Sequence, residues 1–349
     1  MAAGLGGKMI GEISGVRPPT ASDAPPQRIV TRLVLDFFTT VLRITARIQD
    51  GNLHRGLVFL AISHASVEHL SQDAVLAERY ESIPPDALRR PISVNALAQT
   101  LSLSAETTRR HVQALIQRGE CVRVGALGVI VPHACMVSAP IRQANVEILA
   151  AFEKLLADLR SIGFNLQQFN APQRPGKAAP DGGTTSPPAL LVTRLVNRYI
   201  LRTVLDGIPV HGDFLRSALF VTIMSANSRH IAYDPKLAWR YATADAAPPD
   251  ELRKPVSIRR IAAELDLPYA TAHRNMMKMA ADGICVRQTG GWIIPTAVMQ
   301  RPAYLANGLR MHQWFAAMLK ELFALWGDPT GIGRKGQSPT QPETASTSL

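Results

Sequence analysis

Hydrophobic and polar positions along this chain fall into helical periods, and the same succession of periods comes round twice. Val30, Leu33, Val34, Phe37, Phe38, Val41 and Leu42 recur at three- and four-residue steps, which predicts an amphipathic helix. The letters VTRLV that open this stripe at 30–34 return at 192–196. A second, strongly apolar helix is expected over about 54–70, with a counterpart over about 213–231. Phe59, Ile62, Ala65 and His69 of the first recur as Phe220, Ile223, Ala226 and His230. A connector follows, in which Tyr80, Pro84, Pro85 and Asp86 are matched by Tyr241, Pro248, Pro249 and Asp250. A closing helix ends each half. Its stripe is Ile148, Leu149, Phe152, Leu155, Leu156 and Leu159 in one half. In the other it is Leu305, Leu309, Phe315, Met318, Leu319, Leu322 and Phe323. Both stripes read as core or helix–helix interface.

Between connector and closing helix the repetition is letter by letter. Residues 91–123 align with 255–287 at a constant offset of 164, and eleven of the 33 pairs are identical. A repeat of this length predicts two copies of one folding unit. Val94, Leu97, Ala98 and Leu101 share one face of a short helix, and Leu103 sits in a tight turn. Ser104 is a good N-cap for the next helix, with Glu106 in its first turn, where the helix dipole favours an anion. Val112, Leu115 and Ile116 face inward, and Gly119 ends the helix. Two β-prone runs, 121–124 and 129–131, then flank Gly125 and Gly128 and predict a hairpin. The second copy has Ile258, Ile261, Ala262, Leu265 and Leu267, then Pro268 at the helix start, Gly283 at its end, and a hairpin over 285–294.

The expected fold is therefore mainly α: a tandem duplication of a helical domain with a winged helix-turn-helix embedded in each half. The boundaries read as an arm over 1–27, a first domain over 28–165 (core unit 91–132), a linker over 166–189, a second domain over 190–327 (core unit 255–295) and a tail over 328–349. The linker contains NAPQRPGKAAPDGGTTSPP, a Pro/Gly/Ser/Thr composition.

Charge sharpens the picture. The chain of 349 residues carries a formal +11, which favours a polyanionic partner but does not by itself separate nucleic acid from an anionic membrane. Residues 1–170 hold 17 basic and 14 acidic side chains, a net of +3, whereas residues 171–349 hold 21 and 13, a net of +8. The longest apolar runs, such as 57–62 and 218–224, fall far short of the ~20 residues of a membrane span, and the start lacks a signal-peptide pattern, so a cytoplasmic protein without membrane contact is expected. Cys121, Cys135 and Cys285 read as small buried residues; no C-x-x-C pair exists, so no zinc finger is expected. Neither a glycine-rich phosphate loop nor G-x-S-x-G nor H-E-x-x-H occurs, and the expectation is no enzyme, no catalytic residue, no metal and no cofactor.

In a helix-turn-helix the second helix enters the major groove and its N-terminal residues reach the bases. The exposed polar positions are Ser104, Thr107, Arg109, Arg110 and Gln113 in the first copy, and Tyr269, Thr271, His273, Arg274 and Lys278 in the second. Arginine can bond guanine O6 and N7 together, or a phosphate. Arg123 and Arg287 of the hairpins are placed to follow the backbone or enter the minor groove. Thr107 with Thr271, and Arg110 with Arg274, are the strongest candidates, because both pairs are kept among divergent exposed neighbours. Arg109 against His273 would make the two half-sites unlike. His69 and His230 read as core histidines, and Tyr80 and Tyr241 as anchors of the connector. The pairs Arg89-Arg90 and Arg253-Lys254 read equally as phosphate grips or as solvated charge.

The string L-x-L-S-x-x-T-x-x-R-x-V-x-x-L-x-x-x-G, from Leu101 to Gly119, resembles the winged helix-turn-helix of bacterial transcription regulators such as the MarR, IclR and GntR groups. The resemblance covers roughly forty residues per half. It implies sequence-specific double-stranded DNA binding, repression or activation, and often control by a small-molecule effector. The flanking helices resemble those with which MarR-type regulators form homodimers. The chain departs from that pattern in carrying two fused heads, which suggests an intramolecular pseudo-dimer reading half-sites ~10 base pairs or a multiple apart. Pairing of two such chains stays open. Alternatives are a plasmid-type replication initiator, another DNA-organising protein, or a winged-helix protein–protein scaffold.

Overall fold

A computed structural model describes residues 26–72, 83–169 and 189–326. The described residues are mainly helical, with two small antiparallel hairpins. Tyr80, and most of the arm, linker and tail expected from composition, lie outside the described residues.

Helix α1 (Gln27–Ile48) is buried around most of its circumference, from Ile29, Val34 and Phe38 to Arg32 and Thr39. Such burial means neighbours on several sides. Helix α2 (Leu53–Val67) follows, capped by Asn52, whose side chain accepts from the Arg55 N–H at 2.9 Å. It passes into a 3-10 turn, Glu68–Gln72, so His69 lies beyond the end of the apolar helix that the sequence assigned to it. After a 3-10 turn at Asp86–Leu88 come α3 (Val94–Leu101), α4 (Ala105–Gln117), strands β1 (Val122–Val124) and β2 (Gly128–Ile130), the single turn α5 (His133–Met136) and the long α6 (Ala139–Ser161). Leu166–Phe169 forms another 3-10 turn, and Leu166 and Phe169 are buried, so the start of the expected linker belongs to the packed core.

The second stretch runs α7 (Ala189–His211), α8 (Phe214–Ala232), α9 (Pro235–Arg240), a 3-10 turn at Asp250–Leu252, α10 (Ile258–Glu264), α11 (Tyr269–Ala281), β3 (Val286–Gln288), β4 (Gly291–Ile293), α12 (Thr296–Met299) and α13 (Pro302–Trp326). Apart from α9, each element answers one of the first stretch in the same order.

The core lies where the two stretches meet. Helix α1 packs against α8 and α6, and α7 packs against α13, α6, α8 and α2. Each opening helix thus touches the second helix of the other stretch. Asp36 of α1 accepts from Ser225 Oγ of α8 at 3.0 Å, from the Tyr233 hydroxyl at 3.1 Å, and pairs with Arg229. Trp239 Nε1 of α9 donates to the Ile162 carbonyl at 2.6 Å.

Helix α8 is buried almost all round, and apart from Ser225, which reaches Asp36, its buried hydroxyls are satisfied locally. Ser217, Thr222 and Ser228 each donate to the carbonyl four residues back. On α13 the stripe splits. Phe315, Met318, Leu319, Leu322 and Phe323 are buried as expected, whereas Leu305 and Leu309 are exposed at 37% and 42%. The buried row of the first turns is Tyr304, Asn307 and Met311 instead. The three cysteines are free and buried. No helix among the described residues is long and apolar enough to cross a membrane.

Candidate nucleic-acid interface

Two short helices joined by a tight turn and followed by a hairpin occur at 94–130 and again at 258–293. The turns share one construction. Ser102 and Asp266 both take φ +52°, and the next residues, Leu103 and Leu267, donate back to Ala98 and Ala262 at 3.0 and 2.9 Å. Ser93 and Ser257 cap the first helices, accepting from Ala96 N–H at 3.1 Å and Arg260 N–H at 3.3 Å.

The second helices differ at their starts. Ser104 Oγ accepts from the Thr107 N–H at 3.1 Å and donates to Thr107 Oγ1 at 2.8 Å. Pro268 offers no side-chain cap, and within the helix Asn275 Nδ2 donates to the Thr271 carbonyl at 2.9 Å. Each second helix buries one face. Thr108, Val112 and Leu115 turn inward on α4, and Ala272, Met276 and Met279 on α11. Helix α4 rests on α2, and α11 on α8.

The outward faces carry the residues expected from the sequence. Ser104, Arg109, Arg110 and Gln113 are exposed on α4 and Thr107 is half-buried. Tyr269, His273, Arg274 and Lys278 are exposed on α11, with Thr271 half-buried and the Tyr269 ring 5.8 Å from His273. Arg109 is engaged by Glu106 one turn earlier, both largely exposed. Among the described residues Arg110, Arg274 and Lys278 have no acidic partner.

Each hairpin is held as a small three-strand arrangement by one extra residue, Ile92 against Val129 and Val256 against Trp292. That approach demands glycine at the start of the returning strand. A Cβ on Gly128 would sit 2.2 Å from the Ile92 carbonyl oxygen, and one on Gly291 2.4 Å from that of Val256. Arg123 on β1 and Arg287 on β3 stand opposite Val129 and Trp292 in the register and are exposed.

Two readings need correction. Arg89 and Arg253 are neither phosphate grips nor solvated charge. They are 7% and 4% exposed, with Nε 3.4 Å from Asp86 Oδ1 and 3.3 Å from Asp250 Oδ1. Only Arg90 and Lys254 of these pairs face outward among the described residues.

His69 and His230 are half-buried rather than core residues, since both stand toward the ends of their apolar stretches. Burial and the charge of Arg90 lower the pKa of His69, and burial and Lys254 lower that of His230. His111, beside Arg110, is brought down to about 4 by burial, then by His54, Arg110 and Arg55. Burial also raises the thiols, to about 11 for Cys135 and about 12 for Cys285, so both stay protonated and unreactive at neutral pH. No group of three or more metal-binding side chains occurs among the described residues.

Asn227 is a residue the sequence did not single out. It is fully buried on α8, donates to the Lys254 carbonyl at 2.8 Å and the Trp292 carbonyl at 3.1 Å, and accepts from the Ile294 N–H at 3.0 Å. One side chain thereby fixes the second hairpin to the core helix. Its only advance signal is an amide on an otherwise apolar helix.

No known protein family, curated protein or solved structure matches the chain.

Proposed function

We propose that the chain is a sequence-specific double-stranded DNA-binding regulator of the bacterial cytoplasm, with two winged helix-turn-helix heads produced by internal duplication. The heads are α3–α4–β1–β2 and α10–α11–β3–β4, and α4 and α11 are the recognition helices. The observation that carries this reading is the pair of outward faces. Each puts an exposed arginine without an acidic partner on the second helix of its unit, Arg110 or Arg274, and a second on the following hairpin, Arg123 or Arg287. Unpaired, solvated arginines break no ion pair when they turn to phosphates or guanine edges. The cross-packing of α1 on α8 and α7 on α2 supports an intramolecular pseudo-dimer, in which one chain supplies both half-site readers.

Selection from a random duplex library, followed by salt titration of the enriched site, tests the proposal. A bipartite motif is expected, with affinity falling steeply as salt rises. Arg110→Ala with Arg274→Ala should weaken it by ~1–3 kcal/mol per head and relax base preference. Enrichment of no motif at low salt, or full affinity in the double variant, would refute it and return the scaffold reading.

A further inference from the structure

A cavity of about 70 Å3 lies where α1 of the first stretch meets α8 and α13 of the second. Phe220, Val221, Met224 and Met311 form its apolar wall, and Arg28, Arg32 and Arg253 line it as well. The lining contains no aspartate or glutamate.

Three guanidinium groups meet here with few opposite charges. Arg253 pairs with Asp250, and its Nη1 finds only Met224 Sδ, at 3.8 Å. Arg28 donates to the Ala244 carbonyl, 3.0 Å from its Nε, and feels Asp245 at longer range. Arg32 is the exceptional one. It is 6% exposed, its Nη2 donates to the Tyr241 carbonyl, and its Nη1 has no hydrogen-bond partner among the described residues. Burial, then Arg28 and Arg253, bring its pKa down to about 9. An unanswered buried cation is costly, and an arginine fork matches a carboxylate in two parallel bonds.

We propose that this cavity binds a small organic anion, a carboxylate on an apolar body, anchored by Arg32 with Arg28 and Arg253 supplying the field. At ~10–15 Å3 per water the space admits about five to seven waters, or ~140–210 Å3 of liquid, which suits a carboxylate of roughly four to seven carbons.

A second cavity, of about 60 Å3, supplies the contrast. It is built alike, with Leu60, Ser63, Arg89 and Met136 facing Thr193 of α7, yet Glu68 and Glu321 stand in its wall and Arg198 pairs with Glu321. There the protein sets carboxylates of its own in the wall; the wall of the first cavity has none.

Calorimetric titration of the full chain with sodium benzoate and sodium hexanoate, against benzamide and hexanamide, tests the assignment. No DNA is present, so the result is independent of the nucleic-acid reading. Saturable binding of one carboxylate per chain is expected, with the uncharged amides at least ~10-fold weaker. Arg32→Met should weaken carboxylate binding by at least ~10-fold while leaving the thermal midpoint of the free chain unchanged or higher, because it removes an unpaired buried charge. Gly308→Leu is the second variant. Gly308 lines the cavity on α13, and an added Cβ meets nothing within 4 Å, so the backbone accepts a side chain that adds bulk at the cavity wall. Retention of wild-type affinity in either variant would overturn the proposal. So would equal binding of amides and carboxylates, or no binding of either carboxylate at about 10 mM.

Discussion

Replacing Asn227 by alanine should loosen the second hairpin before anything else in the chain. The substitution removes two donated bonds, to the Lys254 and Trp292 carbonyls at 2.8 and 3.1 Å, and one accepted from the Ile294 N–H at 3.0 Å. Trp292 keeps its bond from the Val256 N–H, so its carbonyl is not orphaned. The Ile294 N–H is, at a residue with no exposed surface. With the two donated bonds worth ~1 kcal/mol each and the buried orphan costing ~1–3 kcal/mol, the loss comes to about 3–5 kcal/mol. Hydrogen exchange read by mass spectrometry is the assay, because a local opening need not unfold the rest. Peptides covering 286–294 should exchange several hundred-fold faster in Asn227→Ala, while those of β1 and β2 stay as in the wild type. Thr222→Val is the control. Thr222 is equally buried on α8, but its hydroxyl serves only the Ala218 carbonyl, so a change under about 1 kcal/mol is expected. Equal exchange at the two hairpins in Asn227→Ala, or an equal effect of Thr222→Val, would refute the argument that this amide fixes the hairpin.

Other outcomes follow from the same geometry. Gly128→Ala and Gly291→Ala, which each force a methyl against a strand carbonyl at 2.2 and 2.4 Å, should destabilise by at least ~2 kcal/mol in urea melts and detach the adjacent hairpin. Burial holds His211 near pKa 4, below its unfolded value of ~6.5, so the unfolded chain binds the extra proton between those values. Stability should therefore be full above about pH 6.5 and fall by up to ~3 kcal/mol as pH drops toward 4, a loss that His211→Phe should reduce in acid denaturation curves. On an enriched DNA site, Arg123→Ala and Arg287→Ala should each lower the slope of log affinity against log salt by about 1, without changing base preference, as measured by fluorescence anisotropy.

Much of this was legible in the sequence, for reasons that can be named. The stripes Val30 to Leu42 and Ile148 to Leu159 marked core helices because one residue of error in a 3.6 period changes which face is apolar. Ser104 and Gly119 bounded α4 because caps act locally. Leu305 and Leu309 misled for the opposite reason. They form a second apolar row on α13, and nothing in periodicity tells which of two rows meets a neighbour; Tyr304, Asn307 and Met311 do. Arg89 and Arg253 looked like surface charge beside Arg90 and Lys254, although Asp86 and Asp250 three residues earlier were the clue to internal pairs. The exposed faces of α4 and α11 could be read because a helix face is set by nearest neighbours in sequence. The arginine-lined cavity could not. Arg28 and Arg253 are more than two hundred residues apart and meet only because α1 crosses to the other half.

That crossing also sets a timetable for synthesis. The apolar surface of α1 is complete once Ile48 has been made, but the partner that covers much of it, α8, ends at Ala232, about 180 residues later. At ~5–20 residues per second the ribosome needs roughly 10–40 s to deliver it. For that interval the nascent chain presents Val34, Phe38 and their neighbours to the cell without their final cover. Helix α2 of its own half, which packs on α1 in the final fold as well, is the first cover available. Nascent chains stalled between α6 and α7 should bind an added α8 peptide, and chains stalled after α13 should not.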